Sequence, residues 1–379
     1  MRIGIDGNKM VCGRGEESRR SRVLAGILSA GCPDDSFTVY TPELKGTARL
    51  QHLRTRGNVE FRVPAPQSFH GSMWRAFGIP THLRSDRIDV YHGIDGILPL
   101  NIRSSRVPAV VTVDNLSWLR HPETLGGAAR VMKKFLTLRA CKAADRIIVP
   151  DEKTADDLTT LTGIDSNKIA IISPFCEDEY FQTKSRSDAE AKSRFKLPER
   201  YIFLADIPSR HSGTDAAIRA MQSISPDMSL VTAGSSGKMR SSIEAHAKRL
   251  GIEHRIIFAD TDSVDSDAEE TALRASLCRL AEVALSLSTL DSDRAGFVSA
   301  MATGTPVIAA DGDGREETGG PDVYFIDPSN TDEIIEAVHA LLSDPASSRQ
   351  MGESAREYAA RYSGAESARL HRKLYASLV

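Results

Sequence analysis

Four stretches of the chain place charged, hydroxyl-bearing or glycine residues where an apolar strand runs out into a turn. Residues 13–22, GRGEESRRSR, follow RIGID and join Gly15 to Glu16, Glu17, Ser18 and several arginines. VTVDNL, residues 111–116, carries Asp114 and Asn115, and YIFLADIPSRHSG, residues 201–213, carries Asp206, Arg210 and His211. The fourth, TLDSDRAGFVSAMATGTP at 289–306, lies between VALSLS and PVIAAD. It therefore reads as a loop and a helix N-terminus with Asp291, Ser292 and Ser299 around it. Helix N-termini present unpaired N–H groups and the positive end of the peptide dipoles, which makes such a turn a seat for phosphate. His92 closes DVYHG, and a histidine at a strand end is a candidate to line a site, since its charge changes near neutral pH.

Each stretch also has a plain reading. A charged run such as 13–22, or the acidic run DTDSVDSDAEE at 260–270, is most simply a solvated loop or helix cap. Phe297, Ala300 and Met301 fall at helical spacing and read as a core-facing stripe. His121, in LRHPE, reads as a structural or surface histidine. Cys12, Cys32, Cys141, Cys176 and Cys278 show no C-x-x-C pair, so reduced structural thiols and no metal site are expected.

The elements that must position these residues alternate between strand-like and helix-like. At 379 residues the chain exceeds what one core normally serves, which predicts two domains. With 41% apolar and 26% charged residues and a net charge of −3, it has the composition of a soluble globular protein and no pull toward nucleic acid. MRIGIDGNKM reads as a strand and not as a basic-then-apolar leader, and no apolar run has the length of a membrane span. The reading is cytoplasmic, with peripheral contact as the remaining mode of membrane association.

RIGIDG, FTVYTP, VEFRVP, DVYHG, AVVTVD, RIIVPD and KIAIIS, with amphipathic helices near 18–31 and 131–144, predict a mostly parallel sheet covered on both faces. The polar stretch TKSRSDAEAKSRFKLPER reads as an interdomain connection, with the boundary at 176–199. A second βα series follows it. The expected division is 1–180, 181–360 and a last helix at 361–379.

The run GFVSAMATGTPVIAAD resembles the donor segment of family 4 glycosyltransferases of the GT-B fold. MRIGIDG, FGIPTHLRSDRIDVYHGIDGILPL, PAVVTVDNLSWLRHPE, ACKAADRIIVPDEKTADDL and KIAIIS extend the resemblance over nearly the whole chain. The resemblance implies an α/β architecture of two Rossmann-like domains facing across a cleft, the first on the acceptor side and the second on the donor side, with the last helix returning to the first. It implies a nucleotide-sugar as ligand, with no metal and no other cofactor. In the family two glutamates hold ribose and sugar; aligned on AMATGTPV, their positions are Asp291 and Ser299. Glycines that face the diphosphate are replaced by Ser292 and Arg294. The glycine-rich loop has Glu16 and Ser18 at its glycine positions beside Gly15, and His92 joins that cleft loop. The catalytic-site histidine is replaced by Asp114. Of an Arg-Lys pair that braces the diphosphate, Arg210 is retained and the lysine is His211, mostly neutral on its reference pKa of about 6.5. Asp206 stands where relatives carry threonine.

Sugar transfer requires stabilisation of the charge that develops on the departing diphosphate. Read by residue type, four sites have gained negative charge or lost positive charge, and Ser299 offers one hydroxyl in place of two carboxylate oxygens. This favours a degraded nucleotide-sugar site, a pseudoenzyme of polysaccharide biosynthesis acting as partner or regulatory subunit of a paralogous glycosyltransferase or of a second copy. The alternative is an active retaining enzyme that moves a hexose from a nucleotide-sugar to a glycan or lipid-linked acceptor through an atypical donor site. There, Arg210 and the arginines of 16–22 take the phosphates and Asp291 takes the sugar. A dinucleotide-dependent oxidoreductase is disfavoured because no G-x-G-x-x-G follows the first strand.

Overall fold

The computed structural model describes residues 1–379 apart from 14, 45–47, 66–70, 121–125, 210, 235–236, 289–293 and 313–314. The chain divides into two compact units, Met1–Pro174 with Gly364–Val379, and Phe175–Ser363.

Seven parallel strands form the first unit's sheet: β1 (Arg2–Asp6), β2 (Ser36–Tyr40), β3 (Val59–Arg62), β4 (Val90–Gly93), β5 (Ala109–Thr112), β6 (Arg146–Val149) and β7 (Ile169–Ile171). They lie in the order β3-β2-β1-β4-β5-β6-β7. In register, Ile3, Gly4 and Ile5 face Val90, Tyr91 and His92. β4 and β5 are buried along their whole length, as short apolar strands covered on both faces must be. The helix Gly364–Ala376 packs on the helix Glu16–Gly31, close enough that a Cβ at Gly31 would lie 2.5 Å from that of Ala368.

The second unit holds β8 (Tyr201–Leu204), β9 (Ser229–Ala233), β10 (Ile256–Ala259), β11 (Val283–Ser286), β12 (Val307–Ala310) and β13 (Tyr324–Ile326), again parallel, in the order β10-β9-β8-β11-β12-β13. The helix Arg294–Thr303 buries Phe297, Ala300 and Met301 completely in the core, as their spacing predicts. Both ends of this unit meet: Cys176 N donates to Tyr362 O at 2.7 Å, and Cys176 bridges Ser363.

The polar stretch 183–200, expected to connect domains, instead carries the helix Ser187–Phe195, which belongs to the second unit. Ala191 is wholly buried against Val264 and Leu273, and Arg279 holds Asp188 at 2.8 Å. One buried alanine and one ion pair are enough to seat a helix whose composition is otherwise that of a linker. The acidic run 260–270 contains the cap Ser266 of the helix Asp267–Arg279, with Asp267 and Glu270 buried.

Candidate functional site

Each sheet has one point where strand order reverses, between β1 and β4 and between β8 and β11. There the carboxyl ends of neighbouring strands diverge and leave a crevice, the usual ligand position in open α/β sheets.

In the first unit, Gly15 turns the chain at φ 81°, a left-handed value that favours glycine, and opens the helix Glu16–Gly31. Glu16 and Glu17 do not stand as free charges. Arg19 folds back on Glu16, its terminal nitrogen 2.9 Å from Oε1, and Lys9 pairs with Glu17. Burial pushes the Glu17 carboxyl up, but bonded Lys9, and beyond it Lys133 and Arg20, outweigh that and hold it below the usual range. Arg22 is turned inward onto Met10 O at 3.1 Å, and Ser18 is buried. Asp114, just past β5, is exposed; the Lys133 ammonium, 5.4 Å from the Trp118 ring centroid, feels both Asp114 and Glu17.

His92 is not on a loop that could meet a ligand. Its ring is wholly buried, with Nδ1 2.7 Å from the Tyr375 hydroxyl and Nε2 2.7 Å from Thr112 Oγ1. Burial first, and then the neighbouring His371, push its pKa well down, so it stays neutral. It links β4 to β5 and to the helix Gly364–Ala376.

At the same sheet edge lies a cluster that residue types alone do not reveal. Arg75 donates to Asp6 Oδ2 at 2.9 Å and to both Asp95 oxygens at 2.8 Å. Tyr91 and the Asn8 backbone N–H also donate to Asp6. Burial and the facing Asp6 push Asp95 up to about 6, against the pull of Arg75. Asp6, as the last residue of RIGID, was the one legible member.

In the second unit, Asp206 is 2% exposed and faces inward. Its Oδ1 accepts from Ser286 Oγ at 2.8 Å and its Oδ2 from Ser288 N at 2.9 Å, so the carboxylate ties the end of β8 to the end of β11. It also abuts the first turn of the helix Arg294–Thr303: a Cβ at Gly296 would lie 2.5 Å from Oδ1. The expectation that Asp206 adds a bare charge to a phosphate site is therefore corrected. Ser299 is half-buried, its hydroxyl 3.9 Å from the buried Cys176 thiol. His211 is half-buried and its backbone N–H donates to Ser209 Oγ at 3.2 Å. Arg210, Asp291 and Ser292, with His121, lie outside the described residues. The structure thus gathers Glu16, Ser18, Gly15 and Asp114 at one sheet edge with Lys9 and Lys133, and places Ser299 and Asp206 at the other.

A family model described as Glycosyl transferases group 1 matches residues 185–358, and one described as Glycosyltransferase Family 4 matches residues 34–180. Among curated proteins, an MMP alpha-(1->4)-mannosyltransferase of Mycolicibacterium hassiacum is 26% identical over 345 residues, 86% of this chain and 78% of the relative. A D-inositol 3-phosphate glycosyltransferase of Corynebacterium diphtheriae is 23% identical over 320 residues, 78% of this chain and 71% of the relative. Sucrose-phosphate synthase of Thermosynechococcus elongatus shares the fold over 100% of both chains with TM-score 0.76 at 18% identity. The Anabaena protein HepE, solved in complex with UDP and glucose, does so over 100% of both chains with TM-score 0.75 at 14% identity. Family models matching both halves of the chain, and a fold shared along its full length with these structures, make it a member of the GT-B, family 4-like glycosyltransferases.

Proposed function

We propose that the chain is an active glycosyltransferase with an atypical donor site, transferring a hexose from a nucleotide-sugar to a hydroxyl of a glycan or lipid-linked acceptor. One observation carries the reading: of the carboxylates that would repel a diphosphate, Glu16, Glu17 and Asp206 are already engaged, and exposed Asp114 lies within the field of the Lys133 ammonium. Glu16 is held by Arg19, Glu17 by Lys9, and Asp206 by Ser286 and Ser288. Glu16 and Glu17, each beside a cation, contribute little long-range repulsion, and Asp206 keeps its charge but is buried with both oxygens turned to hydrogen-bond donors. Relatives named as transferases of mannose or onto inositol phosphate support the same reading.

Arg19 and Arg22 are turned inward, so phosphate charge falls to Arg210 and to the N–H groups that open the helix Arg294–Thr303. Asp291 takes the sugar. Stabilisation of the departing diphosphate is the main requirement on these groups.

The second reading, a non-catalytic partner subunit, is favoured by Ser299. It stands on that helix with one hydroxyl beside a thiol, where relatives carry a ribose-binding carboxylate. Titration of UDP-, GDP- and ADP-sugars by calorimetry, with chromatography for released nucleoside diphosphate, separates the two. Turnover of any donor supports the enzyme. No release, with affinity weaker than about −4 kcal/mol for every donor, would overturn the enzyme reading and leave the non-catalytic one.

A further inference from the structure

The first unit has a cavity of about 340 Å³ at the end of its sheet opposite the crevice. Ala109 opens β5 there, Asp145 directly precedes β6 and Lys168 directly precedes β7, so the cavity lies at the amino ends of these three strands. Arg103, Arg106 and Lys168 line it, with Asp145 as its carboxylate and Val107 and Pro108 as part of its apolar wall. Three cations against one carboxylate favour an anion.

Two of the cations are fixed in place. Arg103 Nη2 donates to Lys142 O at 2.7 Å and Lys168 Nζ to Ala144 O at 2.8 Å, and each side chain keeps further N–H groups to give. Asp145 is fixed too: its Oδ2 accepts from Ala109 N at 2.8 Å, which leaves Oδ1 able to accept from a ligand hydroxyl. Arg106 differs from all of these. Its guanidinium is exposed and has no hydrogen-bond or ion-pair partner among the described residues. Its backbone stands at φ 56° and ψ 17°, at the end of the helical turn Ile102–Ser105, a left-handed position where glycine is the favoured residue. Arg87 and Lys196 share a positive φ but do not line the cavity. An arginine that stands where glycine is favoured, beside a cavity and with nothing of its own to bind, points to a ligand.

We propose that this cavity binds a small phosphomonoester of a sugar or polyol. Arg106 and Lys168 take the phosphate with Arg103 beside them, Asp145 accepts from a hydroxyl, and Val107 and Pro108 pack against the carbon skeleton. Charge-assisted bonds to phosphate are among the strong ones, and cations already held by backbone carbonyls lose little freedom on binding. The volume lies near the lower end of the roughly 300–1,000 Å³ usual for ligand cavities, which suits a sugar phosphate better than a nucleotide-sugar. The inference does not depend on turnover and stands apart from the proposed function.

The test is calorimetric titration of the full chain with glucose 6-phosphate, glucose and inorganic phosphate. Glucose 6-phosphate is expected to bind more tightly than about 1 mM and to weaken with salt, inorganic phosphate to bind about tenfold more weakly, and glucose not to bind. Arg106→Gly lowers the affinity for glucose 6-phosphate about tenfold or more, the worth of one charged contact. The same variant, free of ligand, should melt no lower than the parent chain, because glycine adopts the left-handed conformation without strain. Independently, glucose 6-phosphate should slow acetylation of Lys168 by acetic anhydride, read by mass spectrometry. Binding that survives Arg106→Gly belongs to the crevice and would overturn the proposal. So would equal affinity for inorganic phosphate, no binding tighter than about 1 mM, an unprotected Lys168, or an Arg106→Gly chain that melts several degrees lower.

Discussion

Replacing Asp206 with alanine distinguishes a carboxylate that holds the second sheet together from one that guards a phosphate site. The substitution leaves the Ser286 hydroxyl and the Ser288 N–H without the acceptor they now share at 2.8 and 2.9 Å. Buried hydrogen bonds to a charged group are worth about 1.5–3 kcal/mol each, so the expected loss of unfolding free energy is about 3–6 kcal/mol. Gly296→Ala acts on the same contact from the other side: its new Cβ would lie 2.5 Å from Asp206 Oδ1, and overpacking of that kind costs about 1–3 kcal/mol. Because the two changes share one space, the double variant should lose less than the two losses added, by about 1 kcal/mol or more. Urea unfolding with an unchanged m-value measures each leg of the cycle. Calorimetric titration with UDP on Asp206→Ala supplies the other half. A stability loss under about 1 kcal/mol together with a rise of tenfold or more in UDP affinity would show that the carboxylate faces the ligand, and would refute the reasoning.

His92 and His371 are buried and neutral in the folded chain, their pKa values lowered chiefly by burial, that of His371 to about 4. In the unfolded chain both titrate near 6.5, so stability is complete above that pH and falls as pH drops toward 4. For His371 alone the loss is about 3 kcal/mol, read by urea unfolding across that window. Arg75→Ala leaves Asp6 and Asp95 facing each other without their shared cation, an expected loss of about 3–5 kcal/mol at pH 7. The loss should be smallest below about pH 6, where Asp95 is protonated with or without Arg75, and should grow as pH rises above it, because the variant gives up that proton only at higher pH; a pH-independent loss would show that packing and not charge is at stake. Asp114→His with His211→Lys and Ser299→Glu is expected to raise nucleotide-sugar affinity at least tenfold by calorimetry, since it removes one anion near phosphate, adds one cation and restores a ribose acceptor.

How far the site could be read from sequence follows the distance between partners along the chain. The pairing of Glu16 with Arg19 lies within one helical turn and was open to view once the helix was placed. Lys9 with Glu17 needed the short helix Asn8–Cys12, which has no periodic signal in five residues. Asp206 meets serines 80 and 82 positions away, and His92 meets Tyr375 across 283. Types at such positions state a charge or a ring but not what neutralises it, which is why Asp206 read as a repulsive group and His92 as a ligand contact. The strands themselves were plain, because fully buried parallel strands leave nearly unbroken apolar runs such as YIFL and VIAA.

The first unit is interrupted, and the interruption sets an order of events during synthesis. Phe175–Ser363 is one unbroken length of chain whose ends meet at Cys176 and Ser363. It can close as soon as it has been made. Met1–Pro174 cannot, because the helix that covers Glu16–Gly31 and carries Tyr375 to His92 is translated only after the whole insertion. At roughly 5–20 residues per second, the first sheet, whose seven strands are all made by Ile171, waits about ten to forty seconds without that covering helix. Any factor that shields nascent chains therefore has its longest task on the first half of this protein, and a chain halted at Ser363 would hold a finished second unit joined to an unfinished first.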